Sequence, residues 1–76
     1  MKRIKLSSLK VNKSGKVVFI EQGENKLRLL EMGLVPKTEV TVISKAAFRG
    51  PIEICLRGYR LTMRYSDADK IIISPL

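Results

Sequence analysis

The sequence predicts a mainly β domain, a small barrel of about five short strands carrying one short α-helix. Three observations point there. Apolar and polar residues alternate with the period of two that a half-buried strand needs, in Ile52-Glu53-Ile54-Cys55-Leu56 and again in Leu61-Thr62-Met63-Arg64. One stretch, Lys26 to Met32, consists of helix formers, and about two turns of helix are too few to persist alone in water, so they must dock on strands. Finally, a chain of 76 residues forms one domain, residues 1–76, with a small core that buries roughly 60% of its unfolded surface. Short strands in so small a domain cannot cover one another as a flat open sheet, whereas closure buries both edges and apolar faces.

Taken in order, Ile4 and Leu6 alternate with charged residues, and Ser7 or Ser8 can cap a single turn around Leu9. Val11 to Lys16 reads as a loop, because Asn12 and Gly15 tolerate positive φ. Val17-Val18-Phe19-Ile20 is a β-rich run without alternation, which implies a strand covered on both faces and places Phe19 in the core. Glu21 to Glu24 is a polar break, and Asn25 is an N-cap candidate. On the helix, Leu27, Leu30 and Leu34 fall on one side, widened by Leu29 and Met32. Gly33 suits a left-handed helix end, and Pro36 forbids continuation.

Thr38 to Ser44 is the second long strand, with Val40 and Val42 on one face and Thr41 and Ile43 on the other. Ala46 to Pro51 is a loop, turned by Gly50 and Pro51, whose tip carries Phe48 and Arg49. The alternating pair of strands that follows reverses at Gly58-Tyr59 and points Arg60, Thr62 and Arg64 outward. Ser66 to Asp69 forms one helical turn. Lys70 to Ser74 is the closing strand, stopped by Pro75.

Charge and composition narrow the function. The net charge is +8, yet residues 1 to 16 hold six basic side chains (Lys2, Arg3, Lys5, Lys10, Lys13, Lys16) and no acid. The remainder is close to neutral. A basic terminus of this kind serves solubility, or contacts phosphates or an anionic membrane surface. Cys55 is the sole cysteine, which excludes an internal disulfide and suits a reducing cytosol. No apolar signal core follows Met1, so export is not expected. Without histidine, and with scattered acids, neither a general acid–base pair nor a transition-metal ligand set can be read, so no catalysis and no cofactor are expected. A glycine-rich phosphate loop is also missing.

Arg28-Leu29-Leu30-Glu31-Met32-Gly33-Leu34-Val35-Pro36 resembles the helix-and-turn signature of ferrous iron transport protein A, the FeoA family. Gly50-Pro51-Ile52-Glu53-Ile54, then Arg57-Gly58-Tyr59, Leu61, Met63-Arg64, Ala68, Ile71 and Ile73, resemble its second block. Leu6, Leu9, Gly15 and Val17 fall where the family has its first strand. The resemblance implies an SH3-like barrel, as at the C-terminus of iron-dependent repressors. It also implies a cytosolic accessory protein of bacterial Fe(II) uptake acting with the permease FeoB and its GTP-binding region. Two positions depart from the family pattern. Lys37 follows Pro36 where glycine is usual, and Ala47-Phe48-Arg49 replaces a loop richer in proline and glycine.

As a protein-binding module, the chain offers Phe48 and Arg49 at a loop tip and Tyr59 and Arg60 at a hairpin turn, the residue types that dominate interface energies. Leu34, with Val35, can add an apolar patch beyond the helix, unless it closes an open end of the barrel. Gly33, Pro36, Gly50, Pro51 and Gly58 are read as structural turn residues. The alternative is a small basic barrel binding nucleic acid through Arg57, Arg60, Arg64 and Tyr59. It is the weaker reading, because the chain holds only four aromatic residues. The basic N-terminus further suggests a cytoplasmic protein held near the inner face of the membrane.

Overall fold

The computed structural model describes residues 2–76. Its strands are β1 (Ile4–Lys5), β2 (Ser14–Ile20), β3 (Glu39–Lys45), β4 (Ile52–Leu56), β5 (Tyr59–Met63) and β6 (Ile71–Pro75). Helix α1 (Lys26–Glu31) follows β2, a one-turn helix α2 (Tyr65–Ala68) follows β5, and a 3₁₀ turn (Leu6–Ser8) follows β1. All strands join one antiparallel sheet in the order β1-β6-β2-β3-β4-β5. The mainly β reading holds. The sheet is curled, with overall extents of 27 × 26 × 24 Å. Its two edges, β1 and β5, do not pair with each other among the described residues, so the SH3-like sheet is not closed as a ladder. The strand beyond the expected five is β1, two residues long, too short for any periodicity to reveal.

The concave face holds the core. Opposite residues in an antiparallel ladder share a face, so Ile4, Ile73 and Val17 form one inward row. Val40 and Val42 of β3 and Ile52, Ile54 and Leu56 of β4 complete it, all at 0–1% exposure. Each such side chain contributes about 1.5–3 kcal/mol by leaving water. The two buried polar side chains are both engaged: Ser7 donates to the Asp69 carboxylate, and the Thr38 hydroxyl donates to the Gly33 carbonyl at 3.2 Å.

Two apolar residues lie elsewhere than expected, and a third settles between two readings. The β2–β6 register shifts between Val17 and Phe19. An extra residue in one strand resets the in–out phase, so Val17 and Ile20 both point inward while Phe19 is 43% exposed. Phe19 is therefore not a core residue. On α1 the buried residue is Leu29, and Leu27 is exposed. Leu34, open between an apolar surface patch and a place closing the barrel's end, is wholly buried. The helix ends in a Schellman arrangement, with Leu34 N–H donating to Leu29 C=O at 3.2 Å and Gly33 N–H to Leu30 C=O at 3.0 Å. That geometry folds Leu34 back onto Leu29, and it requires the positive φ of +104° that Gly33 adopts.

The two departures from the family pattern meet unusual backbone. Lys37 has φ +75°, the conformation glycine takes without cost. Phe48 and Arg49 both have φ +57°, and Gly50 N–H donates to Ala47 C=O at 3.1 Å. Ala47 to Gly50 is thus a tight turn with both central residues left-handed, as type I′ requires. In the β4–β5 hairpin Leu56 pairs with Tyr59, so the reversal is Arg57-Gly58, again both at positive φ. Tyr59 belongs to the strand.

Candidate functional site

Helix α1 is six residues long and is pinned at each end by a side chain from elsewhere. Asn25 does not cap the helix. Its Nδ2 instead donates to Asp67 Oδ1 on α2 at 3.1 Å. At the other end the Tyr59 hydroxyl donates to the Met32 carbonyl, one of the acceptors a helix end leaves free. Between these ties the helix stands off from β5, leaving an open groove of about 440 Å³. Asn25, Arg28, Leu29 and Met32 form one wall, and Thr62 and Met63 of β5, with Pro51, form the other. Because β5 has a strand partner on one side only, its other edge carries backbone groups free to pair with an added strand.

The expected contact residues fall at the two ends of this hairpin rather than in one cluster. Phe48, fully exposed, and Arg49 sit where β4 begins. The Arg49 guanidinium lies 5.7 Å from the centre of the Tyr65 ring, a cation–π distance. Tyr59 and Arg60 sit where β4 ends, so the two pairs are separated by more than the length of β4, four strand steps of about 3.3 Å or roughly 13 Å. Arg60 is exposed and approaches Glu53 at 3.9 Å, a rim contact of little energetic weight. Tyr59 has a structural task as well, since its hydroxyl holds the helix. Leu34 drops out as a contact, because a fully buried side chain touches no partner. Of the turn residues, Gly33 and Gly58 adopt positive φ.

Arg28, Met32, Thr62 and Met63 are groove residues that the sequence reading did not single out. Arg28 and Met32 are four residues apart, the spacing of one helix face, which is the signal that was present. The status of β5 as an edge has no local signal. Among the described residues no group of three His, Cys, Asp or Glu gathers to hold a metal. Asp67 and Asp69 are hydrogen-bond acceptors for Asn25 and Ser7. Phe19, Phe48 and Tyr59 lie on separate elements, not in the succession that base stacking along a single strand needs.

The family model described as the FeoA domain matches residues 4–75. A Porphyromonas gingivalis (strain ATCC BAA-308 / W83) protein described as a fusion of Fe(2+) transport protein A with the Fe(2+) transporter FeoB is 33% identical over 69 residues. That match covers 90% of this chain and 8% of the relative, so the chain spans a small part of that protein's length. The solution structure of a FeoA-like protein from Clostridium acetobutylicum superposes with a TM-score of 0.90 at 32% identity, covering 100% of this chain and 90% of that one. A zinc complex of FeoA from Stenotrophomonas maltophilia, described as a prokaryotic SH3 domain protein and a candidate ferrous iron transport activating factor, superposes with a TM-score of 0.82. It is 25% identical, over 93% of this chain and 89% of that one.

Proposed function

The chain belongs to the FeoA family, which is linked to ferrous iron transport, and from that membership we propose that it is a cytoplasmic accessory protein of Fe(II) uptake. It binds the cytosolic part of a FeoB-type permease through the groove between α1 and β5. Iron is the transporter's cargo, and this domain contributes binding without chemistry of its own.

The groove carries this reading. It offers a free strand edge for backbone pairing, Met32 and Met63 on facing walls for apolar side chains, and Arg28 and Arg64 for acidic ones. Phe48 and Arg49 at one end, and Tyr59 and Arg60 at the other, extend it to the length of a short peptide strand. A relative in which such a domain is fused to the transporter supports a partnership of the two.

The test is capture of the permease's cytosolic domain by the purified protein. In the Arg28→Ala/Phe48→Ala variant both altered side chains are exposed, so the melting temperature should hold. Affinity should fall by about 2 kcal/mol, roughly 30-fold, if both are anchors. Undiminished capture would move the contact off the groove. A wild-type protein that captures nothing would end the reading.

A further inference from the structure

The phase shift in β2 brings Phe19 to the convex side of the sheet, and its neighbours there are specific. Lys5 of β1 and Phe19 of β2 both pair with Ile72 of β6. The three side chains therefore stand in one outward row about 10 Å across. In the next row Lys16 pairs with Ser74. Phe19 is 43% exposed and Ile72 half-buried, so a ring and an aliphatic chain lie side by side between two lysines. Exposed Arg3 directly precedes β1. Glu39 beside Lys16, and Glu21 beyond Phe19, are the acids at the margins. Among the described residues neither Lys5 nor Lys16 is held in an ion pair.

We propose that this convex face of β1, β6 and β2 is a docking surface for an anionic lipid bilayer, with Phe19 and Ile72 entering the headgroup region and Lys5 and Lys16 meeting lipid phosphates. The proposal rests on the reading that the protein works beside a membrane transporter, and it assigns the side that faces the lipid. No helix of the described residues is long and apolar enough to cross a membrane, and the contact proposed is of the peripheral, interfacial kind.

Basic residue types divide across the fold. Every basic residue from Arg49 to Arg64 is arginine, on the hairpin side near the groove. Five of the six in residues 1 to 16 are lysines. Arginine's planar fork suits fixed, bidentate protein partners. Lysine is a flexible point charge whose stem can lie along apolar surface while the ammonium meets phosphate. One ring beside an aliphatic residue also fits acyl chains better than stacked bases, which need several rings in succession. The groove lies at β5, the opposite edge in sheet order, and stays free for a protein partner.

The chain contains no tryptophan, so Phe19→Trp places a single fluorescent reporter on this face. With vesicles of three parts phosphatidylcholine to one part phosphatidylglycerol, its emission should shift to the blue and be quenched by brominated acyl chains. Pure phosphatidylcholine vesicles should leave it unchanged. One lysine contributes about fivefold at an anionic surface. Lys5→Gln/Lys16→Gln should therefore weaken co-sedimentation roughly 30-fold, and added salt should weaken it further. Phe19→Ala should also reduce binding, with the melting temperature retained. Permease capture by these variants should equal wild type, and Arg28→Ala/Phe48→Ala should keep its vesicle binding. Emission that stays at the water-exposed wavelength overturns the proposal. So does binding that is indifferent to the two lysines, or tighter binding of a single-stranded oligonucleotide than of vesicles. If vesicle binding fails while capture persists, the lipid face is wrong and the partner reading stands.

Discussion

Gly33→Ala tests how the helix exit, the hairpin and the groove are tied together. Two costs follow from the geometry. An L-residue at φ +104° is strained, by about 1–2 kcal/mol. The added Cβ would also lie 3.1 Å from the Tyr59 hydroxyl and 3.5 Å from Leu56 Cδ1. The hydroxyl must therefore give way and loosen its hydrogen bond to the Met32 carbonyl, a loss of about 1 kcal/mol. Together these predict a destabilisation of about 2–3 kcal/mol. With an unfolding entropy of about 2.1 cal/mol/K per residue, a 76-residue chain loses about 6 °C in Tm per kcal/mol. The expected drop is thus about 12–18 °C in a calorimetric scan. Tyr59→Phe alone removes only the hydrogen bond and should cost about 1 kcal/mol. In the double variant the new methyl no longer meets a hydroxyl, so its stability should match Gly33→Ala alone, and the two effects should fail to add by about 1 kcal/mol. Full additivity would refute the contact, and an unchanged Tm in Gly33→Ala would refute the helix exit itself.

Lys37→Gly relieves the left-handed strain at φ +75° and should raise Tm by about 3–5 °C, less than the full strain because glycine also frees the unfolded chain. A fall in Tm there would mean that Lys37 makes a stabilising contact outweighing its backbone. Leu34→Ala empties a fully buried site and should cost about 2–5 kcal/mol by denaturant titration. Were Leu34 a surface contact, its stability would hold and only partner capture would suffer.

The hairpin, the β3 face and the helix exit were legible because each is a local signal. Ile52, Ile54 and Leu56 alternate with polar residues, and β4 buries those three positions. Gly33 followed by Pro36 marks a helix end, and the backbone turns left-handed at Gly33. The family motifs are likewise contiguous stretches, so membership was readable before any fold was. Other features depend on pairing between residues far apart in the chain. The apolar run at Val17 to Ile20 looks the same with or without a bulge, and the register against β6 turns Phe19 to the surface. Leu27 and Leu34 fall on one side of the helix by spacing, yet only Leu34 is buried, because the Schellman turn and the rotation of α1 against the sheet choose which leucines meet the core. Asn25 has the chemistry of a cap but spends its amide on Asp67, 42 residues away. The separation of Phe48 from Tyr59, and the free edge of β5 between them, follow from strand order, to which a period of two along one segment is blind.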